Sequence, residues 1–179
     1  MIKRALSGGA KIQFGYGENL VDTCYVENCA YAHILAAKAL VKASGYPALP
    51  TTQKVEGEAF FVTDDRPIPF WTFSRLAART IGVPVKDEEI QMIPRWFIMV
   101  VAFLFEWAYW IFTAGTKAPV LRMYAVRITT MERTICIDKI KERLGYVPQV
   151  TTEDGMKRAV EWYFKVDREG THIKKSKEL

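Results

Sequence analysis

Apolar and polar positions alternate near the start of the chain, where Ile12 and Phe14 sit between polar neighbours, and this period of two predicts a short strand. Gly15-Tyr-Gly-Glu-Asn reads as a turn, and Leu20 to Val26 as a second extended stretch. The period then changes. From Cys29 to Ala43 the chain is Ala-rich, with Tyr31, Ile34, Leu35 and Ala39 at helical spacing, Asn28 placed as the N-cap and Ser44-Gly45 as the stop. Tyr46 to Gly57 carries two prolines and several small polar residues and reads as a surface loop. Glu58-Ala-Phe-Phe-Val-Thr is a largely apolar strand candidate of the kind buried on both faces.

Pro67 and Pro69 predict the opening of a helix that runs through Ile81, since proline is tolerated in a first helical turn, and Gly82-Val-Pro closes it. Phe70, Phe73, Ala77 and Ile81 share one face of that helix. Asp138 is placed as the cap of a short helix ending at Leu144-Gly145, and Thr151 or Thr152 as the cap of a last helix reaching about Asp167. No internal repeat interrupts this order.

The segment from Trp96 to Ala114 is almost wholly apolar. As a helix it would extend about 28 Å, close to the ~30 Å thickness of bilayer hydrocarbon. Glu106 lies near its middle, where an acid costs on the order of 3 kcal/mol on insertion scales. Ala102, Glu106, Tyr109 and Thr113 form a weakly polar stripe, opposite a broad aromatic face. Trp96, Trp107, Tyr109 and Trp110, with Arg95 and Lys117 at the flanks, are residue types that favour the headgroup layer. Interfacial embedding, or a wall for a hydrophobic substrate, suits this pattern better than a full span; a buried core helix is the remaining reading.

Half of the 179 residues are hydrophobic and a quarter charged, which excludes a disordered tail and describes one domain or a piece of a larger one. The net charge of +5 rests partly on Lys174, Lys175 and Lys177, and suits an anionic surface or simple solubility rather than a nucleic-acid groove. Cys24, Cys29 and Cys136 form no Cys-x-x-Cys pair, so neither a disulfide framework nor a zinc knuckle is expected, and no metal site is indicated. The first residues show no secretory signal pattern.

Gly15-x-Gly17 invites a dinucleotide-binding reading, but no third glycine follows at the required spacing and the next stretch reads as extended, so an ordinary tight turn is expected. His33, inside the Ala-rich helix with Glu27 upstream, reads as a packed or hydrogen-bonded histidine rather than a base. Cys24 and Cys29 read as small hydrophobes in or near the core. No nucleophile, base and orienting group can be assembled from these parts, and no catalytic residue is assigned.

Four ordered segments resemble one family. Asn19-Leu-Val-Asp-Thr-Cys-Tyr-Val-Glu-Asn-Cys-Ala-Tyr-Ala-His-Ile-Leu-Ala-Ala, Gly57-Glu-Ala-Phe-Phe-Val-Thr-Asp-Asp-Arg-Pro-Ile-Pro-Phe-Trp, Ile137-Asp-Lys-Ile-Lys-Glu-Arg-Leu-Gly-Tyr-Val-Pro and Thr152-Glu-Asp-Gly-Met-Lys-Arg-Ala-Val-Glu-Trp are similar to segments of the 3β-hydroxysteroid dehydrogenases, which are extended short-chain dehydrogenases. The nearest branch is the decarboxylating sterol-4α-carboxylate 3-dehydrogenases. The similarity runs from about Ala10 to Tyr163 and corresponds to the carboxy-terminal half of the family pattern.

The resemblance implies an α/β fold, specifically the substrate-binding part of a Rossmann-type dehydrogenase over 1–168 without its nucleotide-binding half, followed by a Lys-rich tail over 169–179. It implies oxidation of a sterol or steroid 3β-hydroxyl, with hydride passed to NAD or NADP, and loss of carbon dioxide from the β-keto acid formed in the decarboxylating branch. Family members carry a Gly-x-x-Gly-x-x-Gly turn and a Tyr-x-x-x-Lys pair. None of the eight tyrosines here is followed four positions on by lysine, so the chain is expected to be inactive alone and its own cofactor binding is doubtful. Phe70, Trp71, Trp107 and Trp110 are the expected sterol-binding residues, because a rigid sterol needs a long apolar, aromatic pocket. The expected partners are the sterol and a membrane surface, with room for a homo-oligomer and no nucleic acid. Lys175 and Lys177 resemble a dilysine signal read on the cytosolic face of the endoplasmic-reticulum membrane, against the plainer reading of a solvated tail. The alternative function is a non-enzymatic lipid- or partner-binding remnant of the same fold.

Overall fold

The structure, a computed structural model, describes residues 2–44, 50, 52–113, 116, 119 and 121–168, the side chains of 167 and 168 excepted. The Lys-rich tail over 169–179, with Lys175, Lys177 and His172, lies outside the described residues, as do Gly45, most of the 46–51 loop, Ala114 and Lys117. The described residues form seven α-helices and four short strands, an α/β arrangement, and cluster into two compact units.

The first unit combines residues 1–21 with 68–133. It holds α1 (Ile2–Leu6), β1 (Ile12–Phe14), β2 (Leu20–Val21), β3 (Ile68–Pro69), α3 (Phe70–Thr80), β4 (Gln91–Ile93), α4 (Arg95–Thr113) and α5 (Met123–Thr130). β1 pairs in parallel with β4, Ile12 opposite Gln91 and Phe14 opposite Ile93, while β2 pairs antiparallel with β3. A parallel pair needs a crossover, and α3 lies on the chain between β1 and β4. α3 begins after Pro69 and stops at Gly82, whose φ of 89° only glycine adopts without strain. Its buried stripe is Trp71, Ser74, Ala77 and Ala78, turned by one position from the expected Phe70–Phe73–Ala77–Ile81 face. The reason is size. Ala78 packs with Ala5 and Ala10 in a small-residue cluster that allows close approach, while Ile81 sits at its rim.

The second unit combines residues 22–67 with 134–179 and holds α2 (Val26–Ala43), α6 (Asp138–Leu144) and α7 (Thr152–Arg168). Ala32, Ile137, Ile140 and Tyr146 form its core, with Tyr31, Leu35, Phe60, Val62 and Leu144 packed around them. Ile34, expected on the inner face of α2, is exposed. α6 ends on Gly145 in the left-handed conformation, its N–H donating to the Lys141 carbonyl at 3.0 Å. Asp138 is the first helical residue rather than the cap, and accepts from the Cys136 thiol at 3.0 Å. For α7 the cap is Thr151, whose hydroxyl accepts the Asp154 N–H at 3.2 Å, while Thr152 is buried.

Three further expectations are corrected. The extended stretch predicted over Leu20 to Val26 stops at Val21, because Asp22 and Tyr25 turn to other partners: Asp22 Oδ2 accepts from Ile135 N at 2.6 Å and Tyr25 N donates to Asp64 Oδ1 at 2.8 Å. Glu58 to Thr63 is not a strand and is not buried on both faces; Phe60 and Val62 reach the core while Phe61 is exposed, and no strand pairs with the segment among the described residues. Asn28 is no cap either. α2 starts at Val26, two residues earlier, and Asn28 is fully buried within its first turn.

Candidate functional site

Parallel β1 and β4 deliver the chain to the same edge of their sheet, and the carboxyl ends of parallel strands are where α/β proteins bind ligands. A cavity of about 760 Å³ lies there, within the roughly 300–1,000 Å³ of small-molecule sites. Its wall is Phe14 to Asn19 after β1, Met92 to Trp96 at the end of β4 and the start of α4, and Thr130 from α5. The turn after β1 bends at Gly15 and Gly17, with φ of 71° and 82°. Beneath it Gln13 donates to the Gly15 carbonyl at 3.2 Å and accepts from Arg75 Nη1 at 2.9 Å; a Cβ at position 17 would stand 2.5 Å from the Gln13 amide. Asn19 Nδ2 donates to the carbonyls of Thr129 and Met131, both at 3.2 Å, tying the end of α5 to the turn. Among the described residues of the wall Arg95 is the one cation and Glu18 the one anion, and Arg95 makes no hydrogen bond or ion pair among the described residues.

The glycine pair does not fit a nicotinamide dinucleotide. A pyrophosphate cradle needs a helix N-terminus directly after the glycine turn, whereas this turn runs into β2 and the next helix begins at Val26. The glycines serve the turn and the cavity wall.

Phe70, Trp71, Trp107 and Trp110 fall into two ring pairs. Phe70 and Trp71 meet edge to face at 5.2 Å; Trp71 is wholly buried, stacks edge-on against Phe14 at 5.5 Å and donates its indole N–H to the Phe14 carbonyl at 3.2 Å. Trp71 thus holds the cavity residue Phe14 from behind. Trp107 and Trp110 meet at 6.2 Å on the outer side of α4, 53% and 64% exposed. None of the four lines the cavity, but Trp96 does, and it is itself 69% exposed on the same helix.

α4 shows the division its pattern predicts. Ile98 and Ala102 are buried with Val126 of α5, and Phe14, Ile93, Met99, Leu121 and Met123 pack around them. Glu106, one turn further on, accepts the Met123 N–H at 2.9 Å and so caps α5, which has no side-chain cap of its own. On the other side Trp96, Phe97, Val100, Phe103, Leu104, Trp107, Trp110, Ile111 and Phe112 are exposed. Among the described residues α4 is the one helix long and apolar enough to cross a bilayer by length and composition, and only 11% of that stretch is buried within the protein, against the core-helix reading.

The second unit carries a polar cluster that is fully satisfied. Asp64 accepts from Tyr25 N, Asn28 Nδ2 and the Thr23 hydroxyl at 2.7–2.9 Å; Asn28 also donates to the Val150 carbonyl and accepts from the Gln149 and Val150 amides at 2.8–3.0 Å. Tyr146 donates to the Thr63 carbonyl at 3.0 Å, and burial pushes its phenol well above the ordinary range. Saturated in this way, the cluster holds the unit together and leaves no group free for chemistry. His33 Nδ1 lies 2.8 Å from the Cys29 carbonyl one helical turn back. Cys24, expected in or near the core, is exposed, and Cys29 is half-buried. No group of three or more metal-ligating side chains occurs among the described residues.

The sequence reading offers Trp96, with its helix, as a wall for a hydrophobic substrate and Arg95 as the flank of that helix, whereas Asn19 and Thr130 escape it as site residues. Nothing local marks them, since the cavity exists only because two short strands distant in sequence pair in parallel.

The family model described as "3-beta hydroxysteroid dehydrogenase/isomerase family" matches residues 1–93. The chain is 35% identical over 162 residues to 3beta-hydroxysteroid-dehydrogenase/decarboxylase isoform 1 of Arabidopsis thaliana, covering 90% of this chain and 35% of that one. It is 34% identical over 157 residues to a decarboxylating sterol-4-alpha-carboxylate 3-dehydrogenase of Gibberella zeae, covering 87% and 49%. With the corresponding protein of Mus musculus it shares 30% over 178 residues, covering 99% and 44%. The chain therefore spans about a third to a half of the length of these relatives.

Proposed function

Because the chain belongs to the 3-beta hydroxysteroid dehydrogenase/isomerase family, we propose that it is the sterol-binding part of a membrane-associated 3β-dehydrogenase acting on sterol 4α-carboxylates, at the cytosolic face of the endoplasmic reticulum. The observation that carries this reading is the cavity beside β1 and β4, whose wall residue Trp96 also stands on the exposed aromatic face of α4. A membrane-dissolved sterol meets that face first and the cavity next.

The same geometry supports lying in the interface over spanning. The inner stripe of α4 is taken by α5, and Glu106 is spent on the Met123 amide, so a crossing α4 would carry the polar ends of α5 into hydrocarbon. The outer stripe, with three of its tryptophans, is free to sink to headgroup depth.

The family's oxidation of a 3β-alcohol to a ketone would need a nicotinamide as hydride acceptor, a group that the glycine turn of this chain does not fit. This chain's residues bind and orient. Phe14, Ile93, Pro94 and Trp96 supply apolar wall, Trp71 and Asn19 hold that wall in place, and the outer side of α4 keeps the mouth at the membrane. With no Tyr-x-x-x-Lys pair in the sequence, the chain alone binds sterol and does not turn it over.

The test is flotation of the purified chain with phospholipid vesicles, together with sterol binding and sterol oxidation in the presence of NAD or NADP. Trp107→Ser/Trp110→Ser is expected to lower vesicle partition about tenfold or more, since each indole withdraws ~1–2 kcal/mol of apolar burial. Unchanged partition and unchanged sterol affinity would overturn the placement, and measurable oxidation would overturn the claim of binding without turnover.

A further inference from the structure

We propose that Arg95 is the specificity-determining residue of the cavity, receiving the carboxylate of a sterol acid and so selecting the acid over a neutral sterol of the same shape. The assignment rests on the sterol-binding reading above and adds the group that tells one sterol from another.

Four observations carry it. Among the described residues Arg95 is the one cation in the cavity wall, and it is placed beside apolar surface from Ile93, Pro94 and Trp96. Its Cβ lies beside the turn after β1, 3.9 Å from where a Cβ on Gly15 would stand. Its guanidinium makes no hydrogen bond or ion pair among the described residues, and neither does the Glu18 carboxylate, whereas Gln13 is committed to Gly15 and Arg75 and Asn19 to Thr129 and Met131. Finally, Arg95 and Trp96 are consecutive, so the charge sits beside the residue that joins the cavity to the exposed face of α4. A sterol acid in a bilayer keeps its carboxylate at headgroup level and its rings below, and a guanidinium next to an exposed indole meets that arrangement without turning the ligand over. Guanidinium is also the side chain best matched to a carboxylate, with two parallel N–H donors for two oxygens.

The experiment uses the full chain in phosphatidylcholine vesicles, titrated with a sterol 4α-carboxylic acid and with its 4α-methyl counterpart, which differ in charge and hardly in shape. The chain is expected to prefer the acid by about tenfold or more, the range of a charge-assisted pair at a partly exposed site. Arg95→Met is expected to bring that ratio close to one, and Arg95→Lys to leave part of it, because an ammonium keeps the charge and loses the fork. Because Arg95 is exposed, neither substitution disturbs the core, and vesicle flotation of each variant checks that α4 still docks. A preference for the acid that survives Arg95→Met overturns the assignment. Equal binding of acid and methyl sterol by the unaltered chain also overturns it, while leaving the sterol-binding reading standing. Binding of neither overturns both.

Discussion

Replacing Glu106 by leucine separates the two environments that its position in an apolar helix permits, because they predict opposite signs. In the structure Glu106 Oε1 accepts the N–H of Met123, the first residue of α5, at 2.9 Å, and no side chain of α5's own performs that role. A hydrogen bond to a charged acceptor contributes about 1.5–3 kcal/mol. Leucine recovers roughly 1 kcal/mol by burying apolar surface at a half-buried site, which leaves a net loss of about 0.5–2 kcal/mol confined to the start of α5. Were the carboxylate instead facing hydrocarbon in a spanning helix, its removal would stabilise the inserted state by about 3 kcal/mol. Hydrogen exchange of the vesicle-bound chain, followed at the amides of Met123 to Arg127, measures the difference, with ~1.4 kcal/mol appearing as a tenfold faster exchange. Glu106→Leu is expected to speed exchange there about two- to thirtyfold, and Glu106→Gln less, since the amide oxygen still accepts. Exchange that is unchanged or slower, accompanied by tighter vesicle binding, would refute the reasoning.

The buried cluster of the second unit predicts that Asn28→Ala costs about 3–5 kcal/mol, because it strands the Gln149 and Val150 amides and the Val150 carbonyl without their partner; a denaturation midpoint shifted by less than about 1 kcal/mol would mean water replaces the side chain. Cys24 is exposed, yet partial desolvation, then the Asp64 carboxylate and Cys29, push its thiol from 9.0 up to about 11. Its alkylation by iodoacetamide near pH 8 is therefore expected to run about a hundredfold below that of a thiol at the ordinary value, and mass-spectrometric labelling that finds Cys24 reacting at the unperturbed rate would contradict the geometry. The Lys139 hydrogen bond to Glu58 holds that carboxyl below its ordinary 4.5. A depressed carboxylate contributes stability that is fully present above the ordinary value and lost as pH falls through the lowered one. Exchange at residues 58–59 is thus expected to quicken only below about pH 4.5, and Glu58→Gln to abolish that dependence; an unaltered acid profile in the variant would exclude Glu58 as its source.

Where local signals suffice, sequence and structure agree closely. α3 is bracketed by Pro69 and Gly82, α6 by Gly145, and α7 by Thr151, because backbone φ limits and side-chain caps act within a few residues. The two faces of α4 were also legible, since a 3.6-residue period separates Ala102 and Glu106 from the tryptophans whatever surrounds the helix. Local pattern failed at Asn28, whose residue type favours a cap but whose amide is claimed by Asp64 and the 149–150 backbone, 36 and more than a hundred residues further along the chain. It failed again at Glu58 to Thr63, where an apolar run suggested a strand although among the described residues no second strand pairs with it.

The candidate site belongs wholly to this second kind. By itself the sequence determined the family, the helical content and the presence of a long amphipathic aromatic segment, all of which depend on residue order within short windows. Only the tertiary structure decided that Phe14 and Ile93 end side by side, that Gly15, Arg95 and Trp96 enclose a cavity there, and that Glu106 faces a helix end instead of lipid. β1 and β4 have three residues each, too few to announce a pairing across almost eighty positions of chain. Such a contact is selected by the burial of Val126, Ile98 and Ala102 around it, an energy that belongs to the assembled unit and to no segment alone.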